Sequence, residues 1–261
     1  MTELNFLRQT FNEVPLLYNE ARPGYPDELF STLTEVTNLH KDSKLLEIGP
    51  GTGQATKPLA KKGFDITCVE IGNSLTELAK YELRHYTNVQ IVTSAFEEVV
   101  LPAAYFELVF AATSFHWIEP SVKFLKPHRL LKNNGHLAII HTNHVSDEKG
   151  DVFFNLSQPI YDRYGFTDKH RKPQLPGIKD IKPDEMDERL FRLIHFEIFP
   201  VVITYSAKNF VRLLNTYSNH LAASKEVQTA FFQKIETLIM DKFQGKIDKH
   251  FAMSLSLGQK I

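Results

Sequence analysis

Apolar positions along this chain fall into two rhythms. Short apolar runs bounded by turn residues occur at Lys44–Ile48, Phe64–Glu70, Asn88–Thr93, Phe106–Ala112, His136–His144 and around His195–Thr204, and each reads as a strand. Near the end, Phe251, Met253, Leu255 and Leu257 alternate with Ala252, Ser254 and Ser256, the period of a closing strand. Between these runs the spacing lengthens to that of one helix face. Helices are expected over Asp27–Leu39, Thr56–Lys62, Asp151–Tyr164, Ser206 to about Asn219 with Phe210, Leu213, Leu214 and Tyr217 inward, and Ser224–Phe243. Ser74 and Glu77 have capping-box spacing, with Leu75, Leu78, Ala79 and Leu83 as the apolar stripe behind them. Pro120–Lys132 also has helical spacing, but Pro127 should kink it or split it in two, with Gly135 closing the segment.

Strands that alternate with helices from about residue 27 onward imply an α/β fold, a three-layer sandwich around a mainly parallel sheet. Composition leaves that picture intact and narrows the partners. The chain has 261 residues, and 30 Lys plus Arg face 31 Asp plus Glu for a formal net charge of -1. No global positive field therefore draws it to nucleic acid or an anionic membrane. The lone Cys68, inside an apolar run, excludes an internal disulfide and a cysteine-rich zinc site. No apolar run approaches the roughly 20 residues that span a bilayer, and the first residues lack a signal pattern, so a cytoplasmic protein is expected. His141, His144 and Asp147 resemble a ligand cluster on paper, but strand positions three apart point to opposite faces, and no metal is expected there. Lys169-His170-Arg171-Lys172 reads as solvated surface.

The chemistry concentrates after the first strand, where Glu47 is followed by Gly49, Gly51 and Gly53. Glycine at every second position allows positive φ and leaves bare backbone against which a ligand can lie. The spacing is not the G-x-G-x-x-G of dinucleotide sites, and a carboxylate at Glu47 suits a cationic amine better than two phosphates. A nucleoside bearing an amino acid fits that loop. Glu70 stands at the end of the second strand, 17 residues after Gly53, where a carboxylate accepts from ribose hydroxyls in doubly wound sheets. Ile71 follows it and would press on an adenine face.

Glu47-Ile48-Gly49-Pro50-Gly51-Thr52-Gly53 resembles the first motif of class I S-adenosylmethionine-dependent methyltransferases. Two further phrases are similar to the type 11, trans-aconitate methyltransferase-like subgroup: Tyr18-Asn19-Glu20-Ala21-Arg22-Pro23-Gly24-Tyr25-Pro26 and Phe115-His116-Trp117. The resemblance implies a Rossmann-like, mainly parallel seven-stranded sheet with an antiparallel last strand. It implies S-adenosyl-L-methionine as cofactor, held by Tyr18, Arg22, Glu47, Gly49, Gly51, Gly53, Glu70, Ile71, Ala95, Phe96, Ala112 and Thr113. Arg22 is expected to meet the cofactor carboxylate, because a guanidinium fork suits it. Ser94 departs from the aspartate that similar enzymes place there.

Similar enzymes also imply one domain over 1–261, with 1–43 as a cap segment and 145–190 as a lid inserted over the acceptor. The expected reaction is in-line transfer of the sulfonium methyl to a small molecule, with carboxylic acids among the candidates. His116 is the candidate base where the acceptor must lose a proton. Ala112-Thr113-Ser114-Phe115 stands where base-modifying enzymes carry an N-P-P-[YF]-type phrase, so a nucleic-acid substrate is not expected. The rival readings are a catalytically idle nucleoside-binding module and a nicotinamide oxidoreductase, the latter lacking its glycine spacing. Oligomeric state is not legible.

Overall fold

A computed structural model describes residues 3–147, 149–167 and 174–261, with side chains from residue 7 onward; the run Lys169–Lys172 lies outside the described residues. The chain divides into two compact units, Met1–Pro23 with Asn143–Ile181 and Pro200–Ala252, and Gly24–Thr142 with Lys182–Phe199 and Met253–Ile261. We call them the first and second unit. The segments expected as cap and lid therefore contribute mostly to the first.

Helices α1 (Glu3–Thr10), α2 (Pro15–Ala21) and α3 (Asp27–Val36) lead into strand β1 (Lys44–Ile48), buried beyond its first residue. Then follow α4 (Thr56–Lys61), β2 (Asp65–Glu70), α5 (Asn73–Glu82), β3 (Val89–Thr93), β4 (Phe106–Ala112), α6 (Leu125–Leu130), β5 (Leu131–His144), α7 (Val152–Tyr164), β6 (Phe191–Ser206), α8 (Ala207–Leu214), α9 (Ser218–Leu221), α10 (Lys225–Lys242) and β7 (Lys246–Lys260). The seven strands form one sheet in the order β3-β2-β1-β4-β5-β7-β6. Strands β3, β2, β1, β4 and β5 run parallel, with Leu46 beside Thr67 on one side and Val109 on the other.

β7 runs against both neighbours. The amide of Val145 donates to the His250 carbonyl, and the amides of Ala207 and Ile261 donate to the carbonyls of Gly245 and Leu190. This is the mixed, Rossmann-like sheet with an antiparallel last strand. The strand order reverses at β1, which has β2 on one side and β4 on the other, and ligands of open α/β sheets bind at such a reversal beyond the carboxyl ends of the strands.

Leu46, Ile48, Val69, Phe106, Val109, Leu137, Ile139 and Phe191 form the core of the second unit. Phe210, Leu213, Leu214, Phe231, Ile235, Ile239 and Phe251 form that of the first. Three expected boundaries are corrected. Helix α5 begins at Asn73 with Gly72 before it and no side-chain cap, so Ser74 lies within the first turn and does not cap it. The Pro127 segment holds one short helix, α6, because the chain turns into β5 at Leu131. Ser206 does cap α8 by accepting from the Asn209 amide, but α8 stops at Leu214, and α9 begins only at Ser218.

Candidate functional site

In the second unit the loop after β1 has Gly49, Gly51 and Gly53 at φ +67, +60 and +95°. A Cβ on Gly49 would sit 2.8 Å from the Ser114 Cβ, and one on Gly53 would sit 2.9 Å from Leu83 Cδ1. These two glycines are therefore demanded by packing as well as by conformation. The start of the loop is tied to its neighbours on both sides: the Gly49 amide donates to the Val69 carbonyl at 2.9 Å, and the Ser114 hydroxyl donates to the Ile48 carbonyl.

Glu70, at the end of β2 as the sequence implies, is only 4 % exposed. Its Oε2 accepts from the Gly51 amide at 3.0 Å and its Oε1 from the Gly72 amide at 2.9 Å. The acid thus fastens the glycine loop to the start of α5. Burial raises its pKa, and the amides of Gly72, Gly51 and Ile71 pull it back. Each oxygen retains a second lone pair, so the carboxylate can hold the backbone and still accept from a ligand hydroxyl.

Glu47 is placed differently from the expectation that it faces the loop's ligand. It is 1 % exposed, beneath the loop, with Oε2 accepting from the Thr56 hydroxyl at 2.6 Å and from Cys68 Sγ at 3.9 Å. Burial, opposed by the Thr56 bond and reinforced by Glu70, pushes its pKa up to about 8. Its Oε1 has no hydrogen-bond partner among the described residues, and neither have Thr52 Oγ1 and Gln54 Nε2 of the same loop. Buried polar atoms left without partners are costly, and two in the loop together with one on Glu47 beneath it fit a polar ligand with cationic and hydroxyl groups. Helix α4 has only six residues, so its dipole adds little to that fit.

Ile71, Ala95, Ala112 and Thr113 are half-buried at the ends of β2, β3 and β4. Phe96, expected among the residues that hold the cofactor, is 5 % exposed and packed in the core. Lys126 donates to the carbonyls of Phe96, Glu97 and Val99 at 2.5, 3.1 and 2.6 Å and fixes that turn, a clamp that nothing in the sequence pattern announced. Thr113 has φ +56°, a strained state for a β-branched residue that costs on the order of 1–3 kcal/mol. The surroundings enforce it. Its amide donates to the Ile140 carbonyl at 2.7 Å, and its hydroxyl lies 2.9 Å from the Tyr25 hydroxyl and 3.4 Å from that of Thr142.

His116 is exposed on the turn beyond, its ring 4.7 Å from that of Trp117 and 5.9 Å from that of His141. His141 Nε2 in turn meets Asp184 Oδ1 at 3.1 Å. The sequence reading missed this pair, because 43 residues separate the two (184 − 141) and only the β5 ladder and the chain before β6 bring them together.

Tyr18 and Arg22 belong to the first unit. Arg22 donates to the Thr216 carbonyl at 2.8 Å, and its guanidinium carbon lies 4.4 Å from the Tyr217 ring centre and 5.1 Å from that of Tyr18. Its Nε has no partner among the described residues. Tyr217 also hydrogen-bonds His144 at 3.2 Å, and burial, opposed by the bond to the Leu214 carbonyl and aided by the Arg22 charge, holds the His220 imidazole down to about 4. No group of three His, Cys, Asp or Glu among the described residues is placed to hold a metal ion. None of the described helices is long and apolar enough to cross a membrane.

Residues 46–139 match the family model described as a methyltransferase domain. A Dictyostelium discoideum protein named as a methyltransferase is 33% identical over 132 residues, 49% of this chain and 47% of that one. An uncharacterized methyltransferase of Mycobacterium tuberculosis is 25% identical over 153 residues, 56% of this chain and 59% of that one. The chain spans about half the length of the curated relatives it matches. A solved structure from Anaeromyxobacter dehalogenans, assigned as a type II methyltransferase, superposes with a TM-score of 0.61 at 19% identity over 91% of this chain and 97% of that one. At that identity the likeness is one of fold.

Proposed function

We propose, from the match of residues 46–139 to the methyltransferase domain, that the protein is a class I methyltransferase that binds S-adenosyl-L-methionine and methylates a small-molecule acceptor. One observation carries the proposal: two buried acids, Glu47 and Glu70, border a loop of positive-φ glycines at the point where the strand order reverses. Glu70 would accept from the ribose hydroxyls while keeping the Gly51 and Gly72 amides. The unpartnered Oε1 of Glu47 would accept from the ammonium of the methionine part from below the loop, the arriving cation favouring release of the proton that burial otherwise holds on the acid. Ile71 and Ala95 would flank the base, and Ala112 and Thr113 would lie toward the reacting end.

The cofactor, when bound, supplies an already activated methyl group, so the protein has to align, desolvate and orient. Thr113, held in its strained conformation by Tyr25, Thr142 and the Ile140 carbonyl, fixes the chain at the end of β4. An acceptor acid ionised at neutral pH would need no base, whereas a hydroxyl would. We further propose, on the Phe115-His116-Trp117 phrase, the trans-aconitate-like small-molecule subgroup, and on the balanced charge, a cytoplasmic enzyme without nucleic-acid or membrane partners.

Calorimetry with S-adenosylhomocysteine tests the reading. The wild-type chain binds, and Glu70→Ala weakens binding by about 2 kcal/mol, roughly 30-fold, through lost charge-assisted bonds. Unchanged affinity in the variant, or no binding by the wild type, would sink it.

A further inference from the structure

The pair at the end of β5 has a built geometry that the cofactor does not use. Asp184 is fixed on every side: its Oδ1 meets His141 Nε2 at 3.1 Å, its Oδ2 accepts from the Ser256 hydroxyl at 3.1 Å, and its amide donates back to that hydroxyl at 2.9 Å. Ser256 is fully buried in β7, so the carboxylate is anchored to the sheet and not to a surface side chain. Asp184 and the His141 ring are 23 and 27 % exposed, dry enough to hold one geometry and open enough to meet a ligand.

Nε2 faces the carboxylate at ion-pair distance, and the negative charge favours the ring proton on that nitrogen, which leaves the lone pair of His141 on Nδ1. The ring follows Ile140, whose carbonyl holds the Thr113 amide, and so stands level with the outlet of β4. His116 flanks it at 5.9 Å, and Trp117 lies against His116.

We propose that His141 is the catalytic base of this protein, positioned by Asp184, and that its acceptor is a neutral aromatic hydroxyl. The inference rests on the methyltransferase reading above and deepens it. The acceptor oxygen forms its bond to the methyl carbon of the sulfonium donor, and the sulfur–methyl bond breaks with its electron pair returning to sulfur. The hydroxyl proton passes to His141 Nδ1, and Asp184 stabilises the resulting imidazolium until the proton leaves to water.

A carboxylate acceptor needs no such base and would meet the negative charge of Asp184. A flat ring suits the imidazole and indole faces of His116 and Trp117. Lys123 acts on Asp184 from the turn before α6 with its ammonium 4.8 Å from the Phe115 ring centre, and His116 faces His141 from the turn after β4.

The test uses the full chain, methyl-labelled S-adenosylmethionine and three probes on one ring: 2-naphthol, 2-naphthoate and 2-(aminomethyl)naphthalene. The naphthol is methylated, with kcat rising with pH. His141→Asn and His141→Gln lower kcat about a hundredfold and flatten that rise, while S-adenosylhomocysteine binding and melting temperature stay at wild-type values. Asp184→Asn lowers kcat as well, because its amide group donates to Nε2 and moves the ring proton to Nδ1.

Nitrogen-15 spectra of the imidazoles give a readout independent of turnover: His141 carries its proton on Nε2 in the wild type and on Nδ1 in Asp184→Asn. Methylation of the naphthoate or the amine alone, an unchanged pH profile in both His141 variants, or an Nδ1–H tautomer in the wild type would each overturn the proposal. Failure of S-adenosylhomocysteine to bind the wild type would instead remove the reading beneath it.

Discussion

At the scale of single residues, the direction in which a buried carboxyl faces follows from where its donors lie, as at Glu47. On a buried strand a carboxylate must find donors, and Thr56 and Cys68 lie below the loop on α4 and β2, so Oε2 is held from beneath and only Oε1 is left over. The consequence is a pH dependence with a definite sign. An unfolded glutamate titrates near ~4.3, whereas burial holds Glu47 up to about 8. Between those values the folded chain keeps a proton that the unfolded chain has released. The stabilisation is complete below the lower value and is lost as pH rises through the upper one. Glu47→Gln, which is neutral throughout, should match wild type at pH 5 and exceed it at pH 9 by about 2 kcal/mol, roughly 4–8 °C in melting temperature. Equal melting curves at both pH values would show that the acid is ionised in place. Thr113 was legible only as a member of a motif, since its positive φ depends on Tyr25 and Thr142, both far away in sequence.

At the scale of elements, the first four strands and the long helix α10 were legible because each presents one uninterrupted pattern. The misses lie where two patterns meet. Leu130 is helical and Leu131 already extended, because Phe106 pairs with Leu131 and Leu108 with His136, an irregularity that absorbs Lys132–Gly135 as a protrusion in the strand. No periodicity in one strand announces a register shift set by its neighbour. Helix α6 has a role beyond packing: it delivers Lys126 to the three carbonyls of the turn after β3. Lys126→Met keeps the length of the stem but leaves those carbonyls without their donor, and should destabilise the chain by about 2–4 kcal/mol. Hydrogen exchange should locate the loss at residues 96–99 and α6, with β1 and β2 unaffected. Gly53→Ala is expected to cost about 1–3 kcal/mol, because φ +95° is strained for alanine and its Cβ meets Leu83. A melting temperature equal to wild type would mean that the loop relaxes.

At the scale of the whole molecule, the order of elements announced an α/β sheet, but the division into two units was hidden, because each unit is assembled from separated segments. Local periodicity reports which face of a helix is buried and never against which partner. The first unit shows this best: Phe231 of α10 packs on Tyr161, Tyr164 and Phe166, some 65–70 residues earlier, and on His220. Its core has no residue in common with the one around Leu46 and Phe106. The glycine loop, Glu47, Glu70 and the His141–Asp184 pair all belong to the other unit, so damage to the Phe231 core should spare the bonds that shape them. Phe231→Ala removes a fully buried ring and should cost about 3–5 kcal/mol. Exchange of amides in α8 and α10 should then accelerate, while the Gly51 and Gly72 amides, each donated to Glu70, keep their wild-type protection. Acceleration at Gly51 and Gly72 equal to that in α10 would show that the two cores open as one, and that stability anywhere in the chain sets the state of the loop.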